Sequence, residues 1–497
     1  MHVNLGSILQ ASTDSRSDHV AVRFGDRALR YVELDRAARG IAAALRERGL
    51  APGDKVALLI PNVPEFTMAY FGILYAGCVV VPINVLLSGE EIQYHLEDSR
   101  SKLLVAHSFF TASVQQGADA AGVPIVWADG EGDDRLSGMA QAEPIHALHP
   151  TSAVDTAVIL YTSGTTGKPK GAELTHVNLL LNCAGVTPRL VPMQDDDVAL
   201  ASLPLFHSFG QTCVQNATIA LGGTFTLQPR FDAEEAFQIM QRDRVTRFTG
   251  VPTMYFALLH LENADDYDIS SLRWCFSGGA AMPVEVMSAF EEKFSVQILE
   301  GYGLSETSPV ASFNLLDRPR KPGNIGYPVW GVEMTTLDAN DQPVADGEPG
   351  EICIRGHNVM KGYLDRPEAT KEALRGGWFH SGDIGIRDEN GAYRIVDRKK
   401  DMILRGGFNV YPREVEEVLY AHESIVEAAV IGVPHPSLGE EVKAVVVSTN
   451  PELSAEDVQA YCQEHLAKYK YPRIVEFRDA LPKGATGKIL KRELRGD

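Results

Sequence analysis

The densest chemistry in the chain lies in Tyr161-Thr-Ser-Gly-Thr-Thr-Gly-Lys-Pro-Lys-Gly171. Its glycines let backbone N–H groups close around a ligand. The hydroxyls of Thr162, Ser163, Thr165 and Thr166 add donors, and Lys168 and Lys170 add positive charge. That combination suits a polyphosphate. The apolar run Val158-Ile-Leu-Tyr161 before it reads as a strand feeding a phosphate loop. The Walker order G-x-x-x-x-G-K-[ST] is absent, because Pro169 follows Lys168. A bare Gly/Ser/Thr cluster would fit a surface loop as well; the whole string is more specific. Farther on, Glu306 stands beside Gly301-Tyr-Gly303, Asp383 follows Gly382, and His207 lies in Phe206-His-Ser-Phe209. Lys488 sits near the C-terminus among Lys483, Lys491, Arg492 and Arg495. Taken singly, these read as a solvated loop carboxylate, a turn aspartate bonded to its own backbone, a packed histidine and a basic tail. Gly301-x-Gly303 lacks the third glycine of a dinucleotide fingerprint. Asp338-Ala-Asn-Asp-Gln-Pro343 begins like an EF-hand loop but has Pro where Gly is required.

Read together, the motifs resemble those of the adenylate-forming (ANL) superfamily, which holds acyl-CoA synthetases, amino-acid adenylation domains and firefly luciferase. The resemblance runs in order over nearly the whole chain. The loop at 161–171 is similar to the family's phosphate loop. Pro204-Leu-Phe-His-Ser-Phe-Gly210 resembles its acid-site motif, and Gly301-Tyr-Gly-Leu-Ser-Glu-Thr307 its adenine and magnesium motif. Ser381-Gly-Asp383 resembles the ribose motif. Asp397-Arg-Lys-Lys-Asp-Met-Ile403, continuing through Gly406-Gly-Phe-Asn-Val410, resembles the hinge and tunnel motif. Pro482-Lys-Gly-Ala-Thr-Gly-Lys488 resembles the catalytic-lysine motif.

The resemblance implies a two-step reaction: a carboxylic acid and ATP give an acyl-adenylate and pyrophosphate, and a thiol then takes the acyl group. It implies ATP contacts from Thr162, Ser163, Gly164, Thr165, Thr166, Gly167, Lys168, Gly279, Ala280, Gly301, Tyr302, Gly303 and Thr307. Asp383 would take the ribose hydroxyls through charge-assisted hydrogen bonds, with Arg398 as a second ribose or phosphate contact. Tyr302 would offer a flat face to adenine, and Glu306 would be the Mg2+ ligand, since that ion takes one or two carboxylates and keeps its waters. Lys488 would bridge the attacking carboxylate and the α-phosphate. The catalytic set is then Lys488, Glu306, Thr162 and His207, the last positioning the acid. The acid pocket would comprise His207, Phe209, Thr249, Val251, Gly278, Gly279 and Gly303. A C-terminal domain turning about Lys400 would bring Gly406 and Gly407 to the site for a pantetheine arm, with Phe408, Lys470 and Arg473 along coenzyme A.

Amino-acid-activating relatives carry an Asp in the acid-site motif to pair the ammonium; Phe206-His-Ser-Phe209 offers none. The small, apolar pocket segments, with no charge awaiting a polar tail, favour a medium- or long-chain fatty acid over an aryl acid of the 4-coumarate kind. Coenzyme A is the expected acceptor and an acyl carrier protein the rival. A luciferase would share the motifs; a regulatory nucleotide-binding protein would not need Lys488 and Glu306.

These residues need a scaffold. The 497 residues exceed one core, and 44% hydrophobic with 23% charged is ordinary for a globular protein. A net charge of -20 disfavours nucleic acid. The cysteines, 78, 183, 213, 275, 353 and 462, are scattered without a C-x-x-C pair, as expected of reduced thiols. With no secretory signal or membrane-length run, a cytoplasmic protein is expected. Helical spacing at Leu34–Leu45 and Pro64–Ala76 alternates with apolar runs at Lys55–Ile60, Cys78–Val81, Leu103–Ala106, Ala157–Tyr161, Val198–Leu203 and Thr246–Gly250, predicting α/β layers with parallel strands. From about Asn324 the texture becomes β-rich, and near Lys400 a small α+β unit begins. The expected division is 1–399, binding acid and ATP, and 400–497, a mobile domain carrying the lysine and the thiol tunnel.

Overall fold

A computed structural model describes residues 3–162 and 168–495. The expected phosphate-loop contacts Ser163, Gly164, Thr165, Thr166 and Gly167 lie outside the described residues. Two α/β layers, a β-rich unit and a small α+β unit follow one another. In the first layer the strands lie in the order Gly362–Tyr363, Lys170–Thr175, Thr156–Thr162, Val79–Pro82, Lys55–Leu59, Ser101–Ala106, Ile125–Trp127. The last five run parallel, and Lys170–Thr175 returns antiparallel after the phosphate loop. The helix Pro64–Ala76 starts with Pro at its first turn and stops at Gly77, whose φ of 81° an L side chain resists. It is apolar nearly all round because it is buried on nearly every side. The helix Tyr31–Glu47 instead buries one stripe, Leu34, Ala38, Ile41, Ala42 and Leu45.

The second layer is a nine-stranded sheet. Its middle runs Ile298–Gly303, Trp274–Ser277, Arg247–Gly250, Val198–Ala201, Thr224–Leu227, Val20–Phe24, all parallel. The N-terminal strand Val20–Phe24 thus joins the second sheet, pairing Val22 with Phe225. Four antiparallel strands, Val332–Leu337, Gly350–Gly356, Phe379–Arg387 and Tyr393–Arg398, make the β-rich unit. Residues 399–402 connect it to the last unit, a five-stranded sheet with the helices Pro412–Tyr420 and Ala455–His465. All six cysteines are free. Among the described residues no helix is long and apolar enough to cross a membrane.

Candidate active site

One cavity of about 870 Å³ opens where these units meet. The C-terminal ends of parallel strands point into it, where open α/β sheets place their ligands. Strand Ile298–Gly303 contributes Gly301, Tyr302 and Gly303. A Cβ on Gly303 would lie 1.7 Å from the Pro309 carbonyl oxygen, so only glycine lets the Ser305–Thr307 turn fold back against it. That turn presents Glu306, which is 8% exposed. One oxygen of its carboxylate accepts hydrogen bonds from the Thr162 hydroxyl at 2.9 Å and the Tyr363 hydroxyl at 3.0 Å. These donors fix the carboxylate at the cavity wall. A single fixed carboxylate fits Mg2+, which fills its other positions with phosphate oxygens and water.

Opposite lies Asp383, after Gly382, whose φ is 74°. Its carboxylate accepts from the Tyr302 hydroxyl at 2.6 Å and meets Arg398 Nε at 3.3 Å across the paired strands. Burial and Asp383 together push the Tyr302 phenol well above its ordinary value, so it stays a donor. Lys488 enters from the C-terminal unit, on a tight loop closed by Gly484 N–H to the Lys488 carbonyl at 2.9 Å and Gly487 N–H to the Gly484 carbonyl at 2.9 Å. Burial lowers the Lys488 pKa to about 8, helped by Arg398 and Lys400 and opposed by Asp383 and Asp401. Burial, then Lys488, lowers His207 to about 4. His207 Nδ1 accepts from the Phe209 N–H at 3.3 Å, so the neutral ring carries its proton on Nε2. It can donate to a carboxylate but is a poor base.

The expected acid-pocket residues His207, Phe209, Thr249, Val251, Gly278, Gly279 and Gly303 all line this cavity, as do Thr162, Gly301, Tyr302, Glu306, Asp383, Arg398, Lys400 and Lys488. Three expected nucleotide contacts do not. Thr307 is fully buried and donates to the Pro309 carbonyl at 2.6 Å, closing the turn rather than facing ligand. Ala280 lies beyond the lining, and the Lys168 ammonium sits over the Tyr94 ring at 5.0 Å. Gly406 and Gly407, at φ 57° and 85°, also lie outside the cavity, with Phe408 stacked on Tyr469. Lys470 is bonded to Glu414 at 2.6 Å, and Arg473 lies over the Tyr471 ring at 3.7 Å. The tunnel set and the lysine therefore do not share the site in this arrangement.

Part of the cavity wall, its apolar arm, was missed by sequence reasoning. Leu190, Val191, Met193, Cys213, Ala217 and Leu221 line it. Cys213 lies in the π-helical segment Phe209–Asn216, a distortion frequent at functional sites, and the other five follow it or the π-helical segment Leu181–Val186 in the chain. In sequence they resemble ordinary core residues. The expectation of no charge in the pocket needs correction, because Arg247 lines the arm. Its Nε donates to Asp197 at 2.8 Å and its Nη2 to the Pro192 carbonyl at 2.5 Å, so its charge is neutralised.

The match to known proteins covers both parts of this site. The profile of the AMP-binding enzyme family matches residues 9–364, and that of the AMP-binding enzyme C-terminal domain matches 414–488. The chain belongs to the AMP-binding enzyme family. It is an AMP-forming acid–thiol ligase of the acyl-CoA synthetase branch. This AMP-binding enzyme is 37% identical to a long-chain-fatty-acid–CoA ligase of Bacillus subtilis (strain 168), over 99% of this chain and 94% of the relative. It is 41% identical to a feruloyl-CoA synthase of Amycolatopsis sp, over 96% and 95%. Among solved structures, an anthranilate CoA ligase in complex with anthranoyl-AMP aligns with a TM-score of 0.94 at 29% identity, covering 100% of this chain and 97% of that one. ATP-bound MatB from Rhodopseudomonas palustris gives 0.91 at 33% identity over 100% and 99%, and apo MatB gives 0.79 at 34% over the same shares. The arrangement of this AMP-binding enzyme is thus the closer to a nucleotide-bound form.

Proposed function

We propose that the enzyme converts an apolar monocarboxylic acid, a medium- or long-chain fatty acid, into its coenzyme A thioester. The observation that carries this reading is the apolar arm of the cavity wall. Leu190, Val191, Met193, Ala217 and Leu221 give it a mostly apolar wall, and the Arg247 guanidinium beside Val191 is bonded to Asp197 and to backbone carbonyls. An alkyl chain loses nothing there, whereas a second carboxylate or an ammonium would be buried without a partner. The Bacillus relative, named for long-chain fatty acids, supports the same reading. An aryl acid is the second reading, favoured by Phe209 and Phe276 in the lining and by the feruloyl-CoA synthase relative.

In the first step the acid carboxylate, oriented by the His207 Nε2–H, attacks the α-phosphorus and pyrophosphate leaves. No proton need move, because the nucleophile is already an anion. Lys488 neutralises charge at phosphorus, while Asp383 and Arg398 hold the ribose. Glu306, held by Thr162 and Tyr363, would bind Mg2+, which supplies charge neutralisation on the departing phosphates. The unit after Lys400 then turns and presents Gly406 and Gly407. A thiolate attacks the acyl carbonyl, the thioester forms and AMP departs with the bonding pair. Phe408, Lys470 and Arg473 serve coenzyme A, Lys470 by exchanging Glu414 for a phosphate.

The test offers octanoate, palmitate, ferulate and malonate with ATP and Mg2+, with coenzyme A and an acyl carrier protein as competing acceptors. Palmitate or octanoate should give the highest kcat/KM, with coenzyme A preferred. Preference for ferulate would install the second reading. Malonate as best substrate would refute the role given to the Arg247–Asp197 pair.

A further inference from the structure

Among the described residues, the loop that carries Lys488 is hydrogen-bonded to the N-terminal region through one backbone group. The Thr253 hydroxyl, at the start of the helix Pro252–Leu259, donates to the Gly487 carbonyl at 3.0 Å, across 234 residues of sequence. Among the described residues no other hydrogen bond joins the 483–489 loop to the N-terminal region. Other contacts between the halves lie elsewhere. The Arg413 N–H donates to Asp397 at 2.9 Å, and the Arg413 guanidinium donates to the Ile395 carbonyl at 2.8 Å. These hold the unit but not the tip of the loop.

The fit at that tip is close. Gly487 has φ 76°, and a Cβ there would lie 3.0 Å from Thr253 Oγ1 and 3.1 Å from Val251 Cγ2. The backbone at Gly487 therefore lies flush on the Val251–Thr253 turn. Val251 also lines the acid cavity, and Thr253 does not. One short turn thus forms part of the acid wall and of the seat for the lysine loop.

We propose that Thr253 is a positioning residue for adenylation: its hydroxyl holds the Gly487 carbonyl so that the next side chain, Lys488, projects to the phosphate. The hydrogen bond belongs to the adenylating arrangement alone, because turning the C-terminal unit about Lys400 carries Gly487 away. Thr253 has no part in thioester formation. This inference rests on the assignment of Lys488 to the first step.

The experiment compares Thr253→Val, which keeps the shape and loses the hydroxyl, with Thr253→Ser, which keeps the hydroxyl. Each is assayed for acyl-adenylate formation from acid and ATP, and for thioester formation from supplied acyl-adenylate and coenzyme A. Losing one hydrogen bond should slow adenylation by about three- to tenfold in kcat. The KM for ATP and the thioester step should stay at wild-type values, and Thr253→Ser should restore the rate. Equal loss in both steps would mean a merely structural role and overturn the proposal, as would unchanged adenylation in Thr253→Val. Lys488→Ala runs alongside. If it adenylates normally, the lysine assignment fails; if it does not while Thr253→Val does, only the anchor fails.

Discussion

Lys488→Ala separates the two half-reactions, and its size follows from the burial of the ammonium. Folding lowers the Lys488 pKa from 10.5 to about 8, mainly by desolvation. At 1.36 kcal/mol per unit, that is about 3 kcal/mol already spent before any nucleotide arrives. The charge therefore needs little further desolvation when it meets phosphate. An ammonium about 4 Å from a phosphoryl oxygen gains about 4 kcal/mol at the effective dielectric suited to protein sites. Removing it should slow adenylation by about a hundred- to a thousandfold, the range seen when one stabilising group is taken from a transition state. ATP–pyrophosphate exchange driven by the acid measures that step. Supplied acyl-adenylate with coenzyme A measures the second, which should change less than about threefold, a loss below 1 kcal/mol. Exchange within a few-fold of wild type in the variant would refute the placement of the charge at phosphorus.

The same lysine sets a pH dependence. Its folded value is depressed, so it is charged below about 8 and neutral above; kcat/KM for ATP should fall above that pH, and a profile flat to strongly alkaline pH would contradict this. Bound phosphates favour the cation, so the limb in kcat should lie higher than in kcat/KM. Chelation of Mg2+ should stop adenylation and spare the thioester step. Tyr363→Phe removes one donor to Glu306 and should raise the Mg2+ needed for half-maximal adenylation by about tenfold or more; an unchanged Mg2+ titration would count against Glu306 as the ligand. Asp197→Ala strands Arg247, which is 5% exposed, and should cost about 3–5 kcal/mol in urea unfolding; a loss under about 1 kcal/mol would show that the pair is not buried in solution.

The chain announces its nucleotide side more openly than its acid side. Groups that meet phosphate, ribose and metal must be glycines, hydroxyls and charges, which stand out from a hydrophobic background. The expected helix Pro64–Ala76 likewise matches the structure, where Pro64 starts it and Gly77 stops it. The apolar wall of the cavity gave no such signal: Leu190, Met193 and Leu221 are the residues any core would use. Thr307 shows the opposite error. It sits within a motif of ligand contacts, yet its hydroxyl is consumed in closing the turn. Tyr363, Thr253 and the strand Val20–Phe24 act through partners distant in sequence, and no local pattern records such pairings.

The cavity is finished only when the C-terminal unit is seated, because Thr486, Lys488 and Leu490 form part of its wall. In the proposed reaction, the piece of chain that would act at the phosphorus is also the piece that completes the chamber wall. An enzyme with that unit turned away would then hold ATP without the charge needed to break it. Futile cleavage would be avoided without a separate guard, since commitment and completion of the wall would be a single movement.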